Sequence, residues 1–178
     1  MLALRILDLK DFTGKLFIGE MFQHFSFVEA SFTTFVTYTL DGQLHKEFFD
    51  SEQEPMRTYC LWEDVQAQCF SIIKGKRTPL NFKIVFQLSS SNVEKLLSQS
   101  GIALKPEDIY GLYLNCQFDG KQLLCTTGTS LKIFTLDKQL DRVWDEMVRK
   151  FSGKIRWLLR MHNRLNYTST DLSIIEMS

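Results

Sequence analysis

The chain has 178 residues and a mass of 20.8 kDa, which is enough for one domain with a substantial core. Hydrophobic residues make up 44% and charged residues 24%, so a mainly disordered or fibrous chain is excluded. Twenty-one basic residues balance 21 acidic ones, which excludes a uniformly basic nucleic-acid coat and leaves local patches as the only places for a charged partner.

The first residues predict a strand followed by a short helix. Residues 2–6 alternate between strongly apolar and other side chains, which is the period of a half-buried strand. Asp8 or Asp11 can cap a helix that follows this strand, and Gly19 can end that helix.

Residues 25–49 are rich in aromatic and β-branched side chains and predict an antiparallel meander. They contain Asp41-Gly42, a dipeptide typical of two-residue hairpin turns. We therefore expect residues 25–40 to return through this turn as residues 43–49.

A polar connection, a strand and a helix complete the first half of the chain. The connection covers residues 51–57 and the strand residues 58–61. Apolar residues then recur at three- and four-residue steps from Trp62, which predicts a helix that ends before Gly75.

The second half contains similar elements in a similar order. We expect a strand at 80–88, a helix capped within 89–91 and closed by Gly101, a short strand at 102–104, a hairpin around Asp119-Gly120, a strand at 131–134 and a helix from Asp137 to Gly153.

This parallel indicates an internal duplication. The two Asp-Gly turns begin at Asp41 and Asp119, 78 residues apart, and the flanking patterns keep nearly the same offset. We therefore predict one α+β domain over residues 1–153, built from half-repeats at about 1–77 and 78–153. Each half-repeat is a strand, a helix, an antiparallel meander and a helix, and the two share one continuous sheet.

The second hairpin allows a prediction of register. A two-residue loop at Asp119-Gly120 places Phe118 opposite Lys121 and Cys116 opposite Leu123. The apolar residues then share one face, which we assign to the core: Leu112, Leu114, Cys116, Phe118, Leu123 and Cys125. The other face is mixed and polar, suited to solvent or to a partner.

The first meander has apolar residues on both predicted faces, with Phe35 and Phe48 on one side. Nine of the 15 phenylalanines fall in the first 49 residues, which is more ring surface than one short helix covers. This pattern predicts an interface with a protein partner or a second copy of the chain, with Phe35, Phe48 and Trp157 as candidate contacts.

Cys60, Cys69, Cys116 and Cys125 form no CxxC pair, so reduced structural thiols are favoured over disulfides or a metal site. The sequence contains none of the glycine-rich nucleotide motifs or common hydrolase motifs, and its three histidines are isolated. We assign no catalytic residue, no metal ligand and no cofactor. An enzyme that lacks a recognisable motif stays the second alternative.

Two basic features are candidates for contacts with phosphate or another anionic partner. Lys74, Lys76 and Arg77 follow the second helix. Arg156, Arg160 and Arg164 would share one stripe of an amphipathic helix over residues 155–165, within a basic C-terminal segment at 154–178. A docked helix with its arginines in water is the simpler interpretation of that stripe.

Residues 82–133 resemble one repeat of the sliding DNA clamps, in their strand, Ser-capped helix and hairpin with the turn Phe118-Asp119-Gly120-Lys121. The order of elements taken twice also looks like the saddle of the TATA-box-binding protein. These resemblances imply a nucleic-acid-associated function. Separately, residues 2–49 resemble an uncharacterised family of anaerobic Gram-positive bacteria, which implies no activity.

The function favoured by the sequence is a non-catalytic protein-interaction or self-assembling module, with a clamp-like nucleic-acid-associated protein as the alternative. No apolar run reaches the roughly 18 residues needed to span a bilayer. The first residues also lack the pattern of a secretory signal, so a cytoplasmic location is expected.

Overall fold

A computed structural model describes residues 1–50, 55–152 and 157–159, with the backbone alone at 152 and 157–159. Its strands are β1 (Ala3–Ile6), β2 (Ser26–Thr33), β3 (Thr37–Asp41), β4 (Asn81–Gln87), β5 (Ile109–Phe118), β6 (Leu123–Leu131) and β7 (Trp157–Leu159). They form one antiparallel sheet in the order β3-β2-β4-β5-β6-β1-β7.

The described helices are α1 (Leu9–Phe17), α2 (Trp62–Ile73), α3 (Ser90–Ser100) and α4 (Gln139–Ser152). Apolar side chains from all four join one core with the side chains of a single sheet face. The opposite face carries Arg5, Lys83 and Gln117, which are exposed. The prediction of an α+β fold with helices packed on one continuous sheet is confirmed.

Capping residues explain where two of these helices begin. Asp8 accepts a hydrogen bond from the backbone N–H of Asp11 at 2.9 Å, as expected for the start of α1. The Asp137 carboxylate likewise accepts from the N–H of Gln139 at 2.8 Å, where α4 begins. Both caps were readable from the sequence, because a short acidic side chain directly preceded an amphipathic run.

The β5–β6 hairpin confirms the predicted faces but not the predicted register. Phe118 lies opposite Leu123 and Cys116 opposite Cys125, a shift of two residues from the expected pairing. The loop is longer than two residues because the Asp119 carboxylate accepts from the N–H groups of Lys121 and Gln122, at 2.9 and 2.8 Å. These bonds also lower the pKa of Asp119. A shift of two residues keeps every side chain on its face.

The first hairpin turns at a different place from the one expected. The chain reverses at residues 34–36, between β2 and β3, and Asp41-Gly42 lies at the end of β3. Gly42 is required there by a close approach: its N–H donates to the Val28 carbonyl at 2.8 Å, and a Cβ would lie 1.8 Å from the Phe27 oxygen. The dipeptide therefore lies at a close contact between β3 and β2 and not in a turn.

Three short predicted strands are absent from the described part of the chain. Residues 58–61 make only isolated bridges, Gln43 with Tyr59 and Ser26 with Leu61. Cys60 joins the two, since its carbonyl accepts from the Phe27 N–H and its own N–H donates to the Gly42 carbonyl. Residues 102–104 and 132–134 are irregular, since β6 ends at Leu131.

The internal duplication is not confirmed. The two strands expected to be equivalent, β1 and β4, have different neighbours: β1 lies between β6 and β7, whereas β4 lies between β2 and β5. A repeated order of elements along the chain therefore does not become a repeated pattern of strand pairing.

Threonines of β6 dock α4 onto the sheet. Thr127 donates to the carboxylate of Asp145, and Thr129 donates to that of Asp141. These two carboxylates lie one helical turn apart on α4. The hydrogen bonds to the threonines hold this side of the helix against the surface of the sheet.

The C-terminal segment differs from the helix expected over residues 155–165. Trp157–Leu159 is strand β7 and pairs with β1, with Arg5 opposite Leu158. Without β7, the outer edge of β1 would have unpaired backbone N–H and C=O groups. The spacing of apolar residues along the segment does not report this long-range pairing. The rest of the predicted basic helix lies outside the described residues.

All four cysteines are buried and free, and Cys116 and Cys125 face each other with their sulfurs 3.5 Å apart. Burial raises the pKa of Cys69 to about 12 and, together with the nearby Asp64 carboxylate, raises the pKa of Cys60. A buried neutral thiol reacts slowly because the thiolate is the nucleophile.

We therefore predict that a thiol reagent labels the folded protein slowly and labels four thiols per chain once urea unfolds it. The free energy of unfolding should also fall as the pH rises from 9.0 toward about 12, because the folded state keeps the Cys69 proton that the unfolded chain loses. Fast labelling of the folded protein, or a stoichiometric zinc content, would contradict this prediction.

Candidate functional site

Strand β3 is an open edge of the sheet. In the described part of the chain it pairs with β2 alone. Its even-numbered residues point their backbone groups at β2, as seen from the bonds that Thr34 makes to the Val36 carbonyl and Gly42 to the Val28 carbonyl, both 2.8 Å. Backbone direction alternates along an antiparallel strand, so the odd-numbered residues Thr37, Thr39 and Asp41 direct their N–H and C=O groups outward.

The two faces of β3 have different side chains. Tyr38 lies opposite the buried Phe32, and Leu40 lies opposite the buried Ala30, so both belong to the helix-covered face. Thr39 lies opposite Ser31 on the open face. The edge therefore continues the apolar core on one side and a hydroxyl-bearing surface on the other.

Exposed phenylalanines precede and follow β3 along the chain. Phe35, in the turn before the strand, is 88% exposed, and Phe48, in a short 3-10 helix at Lys46–Phe48, is 86% exposed. Both rings therefore lie mostly in water, outside the regular strands of the sheet. Phe35 lies in the turn because the hairpin reverses earlier than predicted. The role of both residues as interface contacts stays a prediction.

The Asp41 carboxylate ends the open edge. Its Oδ1 accepts a hydrogen bond from the N–H of Gln43 at 2.9 Å. That N–H continues the outward-facing series of β3, so the bond removes it as a donor for another strand. The available edge is thus limited to the five residues of β3.

A shallow depression of about 510 Å³ lies beside this edge on the open face. Across it, the Lys83 ammonium approaches the Glu29 carboxylate at 3.2 Å, and both side chains are about half exposed. Such an exposed pair contributes little to stability and is screened by salt. The depression has polar side chains of both signs but brings no nucleophile beside a general base.

The predicted basic residues Lys74, Lys76 and Arg77 are exposed in the loop between α2 and β4. This loop reaches the same end of the sheet as Phe35, because the Leu80 N–H donates to the Thr33 carbonyl at 2.8 Å. Within the described ranges these three cations have no acidic partner. Their role as phosphate contacts stays a prediction.

The other predicted contacts lie at or beyond the end of the described chain. Arg156, Arg160 and Arg164 fall outside the described residues. Trp157 is placed by its backbone in β7, at the edge of the sheet opposite β3. The candidate interface residues Phe35 and Trp157 therefore belong to opposite edges and do not form one patch.

A metal centre and a membrane-spanning helix have no candidates among the described residues. Across 1–50 and 55–152, no three His, Cys, Asp or Glu side chains converge as metal ligands. His24 and His45 are exposed, and His162 lies outside the described part. None of the helices that the structure describes has the length and apolar character to cross a bilayer.

Sequence reasoning did not identify β3 as an edge. A signal was present, since Thr37–Asp41 reads Thr-Tyr-Thr-Leu-Asp and lacks the lysine or proline that often protects an edge strand. Whether a strand is central or at an edge depends on long-range pairing, which local periodicity does not report.

The comparisons with known proteins identify a family. The model described as "Family of unknown function (DUF5721)" matches residues 15–156, about four fifths of the chain. No curated protein and no solved structure matches the chain at a significant level. The matched range includes every strand from β2 to β6 and the helices α2 to α4. The chain therefore belongs to this family of unknown function.

Proposed function

We propose that the chain is a non-catalytic protein-interaction module that binds a partner by adding a strand to the β3 edge. The observation that carries this proposal is the row of outward-directed backbone groups at Thr37, Thr39 and Asp41. Main-chain hydrogen bonds to such an edge supply affinity, and the side chains beside it supply specificity.

Apolar surface near the edge supports the same function. Phe35 and Phe48 are two of the most exposed large apolar side chains in the described chain, and they flank β3 in the sequence, Phe35 in the turn before it and Phe48 in the 3-10 helix after it. Aromatic side chains are enriched in the buried centres of interfaces, where they lose much water-exposed area at a small entropic cost. A partner strand on β3 would run past the turn that carries Phe35.

The alternative, a nucleic-acid-associated protein, is supported by only a few basic residues in the described chain. It relies on Lys74, Lys76 and Arg77 together with arginines outside the described residues, in a chain whose formal net charge is zero. An extended duplex-binding surface commonly neutralises 6–10 phosphates, roughly two to three times the cations of this loop.

A photo-crosslinking experiment tests the proposed function. Benzoylphenylalanine in place of Phe35 should give discrete covalent adducts after illumination in cells, because the ring would stand beside the bound partner. Addition of Thr39→Pro to the same chain should remove those adducts, since proline takes away the central outward N–H of the edge.

Phe134 supplies the matched control. It is 91% exposed and lies after β6, at the opposite end of the sheet. The same photoreactive residue at this position should give few adducts. Equal labelling from both positions, or none from position 35, would contradict an interaction surface at β3.

A further inference from the structure

We propose that the partner strand is β3 of a second copy of this chain, paired antiparallel around a two-fold axis at Thr39. The inference rests on the proposed function and names the partner. It predicts a dimer in which two sheets join into one continuous sheet through their β3 edges.

The backbone of β3 is complementary to itself in this register. With Thr39 opposite the partner's Thr39, Thr37 lies opposite the partner's Asp41, and the same pair recurs on the other side of the axis. All of these residues direct their backbone groups outward, so each pair is a hydrogen-bonded pair of an antiparallel ladder. The register uses every outward N–H and C=O of β3 on both chains.

The side chains also match in this register. Tyr38 comes opposite the partner's Leu40, in a non-hydrogen-bonded pair, where side chains approach most closely. Tyr38 is 37% exposed and Leu40 is partly buried, so the pair would cover apolar surface that is open at the edge of the core. On the other face, the two Thr39 side chains form a cross-strand threonine pair.

Charge disfavours the neighbouring register that is centred on Asp41. Asp41 is the single charged residue of β3. Centring on Thr39 places the two Asp41 residues four positions apart, about 14 Å, and each faces a neutral threonine. A register centred on Asp41 would place two carboxylates directly opposite each other, which is unfavourable.

The exposed turn before β3 is compatible with the same register. Continuing the pairing outward places Phe35 in line with the partner's Gln43. The Asp41 carboxylate accepts a hydrogen bond from the Gln43 N–H, which ends the ladder before this point, so side chains and not the backbone would extend the contact.

The first test is the mass of the full chain in solution. Light scattering should give twice the chain mass of 20.8 kDa at micromolar concentration. Thr39→Lys places two ammonium groups at the axis and should raise the dimer dissociation constant by about tenfold or more. Thr126→Lys is the control, because Thr126 is on the same face but in the interior strand β6 and should leave the mass unchanged. Circular dichroism confirms that both variants are folded.

A gain-of-function variant tests the register itself. Thr37→Lys brings a cation opposite the partner's Asp41 and should lower the dissociation constant by about fivefold. Thr39→Cys should form a disulfide-linked dimer under mild oxidation, because opposed residues of a hydrogen-bonded pair lie about 5.5 Å apart between Cα atoms. Thr126→Cys should not, and the four native thiols are buried.

The outcomes separate this inference from the function on which it rests. A chain that is monomeric at several hundred micromolar, or a dimer that Thr39→Lys leaves unchanged, overturns β3 self-pairing. Tighter association of Thr39→Lys, or weaker association of Thr37→Lys, overturns the register. Crosslinks from position 35 to a different protein, with a monomeric pure chain, overturn the second copy as partner and still support an interaction module.

Discussion

Replacement of Gly42 by alanine is expected to lower the free energy of unfolding by about 3 kcal/mol. The new Cβ would lie 1.8 Å from the Phe27 carbonyl oxygen and 2.7 Å from a ring carbon of the same residue. Gly42 also accepts a hydrogen bond from the Cys60 N–H at 2.9 Å and donates to Val28 at 2.8 Å, so the backbone cannot withdraw without losing both bonds. Urea denaturation followed by circular dichroism measures the loss.

Gly14 is the matched control for this substitution. It lies inside α1, and nothing stands within 4 Å of the position that a Cβ would occupy. Gly14→Ala should raise the free energy of unfolding by about 0.5 to 1 kcal/mol, because alanine restricts the unfolded chain and favours the helix. Similar stability for Gly42→Ala and the wild-type chain would contradict the close contact between Gly42 and Phe27.

Trp62→Ala is expected to cost about 3 to 5 kcal/mol of unfolding free energy. Trp62 is 0% exposed, and its ring contacts those of Phe27 and Phe86, with centroids 5.5 and 5.2 Å apart. Its Nε1 donates to the Leu16 carbonyl at 2.7 Å and so ties α2 to the end of α1. The substitution leaves a cavity at the point where two helices and two strands meet.

Two further variants separate packing from the hydrogen bond. Trp62→Phe keeps an aromatic ring, and the Leu16 carbonyl keeps its second donor, Gln66 Nε2 at 3.0 Å, so a smaller loss of about 1 to 2 kcal/mol is expected. Phe35→Ala removes a ring that is already in water and should change stability by less than about 0.5 kcal/mol. A loss for Trp62→Ala no larger than that for Phe35→Ala would contradict the packing described for this core.

The parts of the fold that sequence reasoning predicted are those set by local chemistry. Each of these features depends on residues close together in the chain: the caps at Asp8 and Asp137, the amphipathic run from Trp62 and the alternation of residues 112–118. Side-chain alternation also survives a change of register by two. The faces of the β5–β6 hairpin were therefore correct even though its loop was longer than expected.

The parts that could not be predicted depend on residues far apart in the chain. Asp41-Gly42 has the composition of a turn. Only the contacts of Gly42 with Phe27 and Cys60 show that the dipeptide instead packs against distant segments of the chain. The pairing of β7 with β1 and the edge position of β3 likewise follow from the order of strands in the sheet. For the candidate site, the exposed Phe35 was named from sequence, but the open backbone edge beside it was not.

The position of β1 sets a time at which the sheet can be completed. Leu4 pairs with Cys125, so the first strand has no neighbour until the ribosome has made β6, roughly 6 to 25 seconds later at 5 to 20 residues per second. The hairpin of β2 and β3 can form within that interval, whereas the apolar residues of β1 must wait uncovered. Chaperones that bind short apolar segments of nascent chains should therefore be able to bind β1 during this interval, and slowing translation should lengthen that encounter.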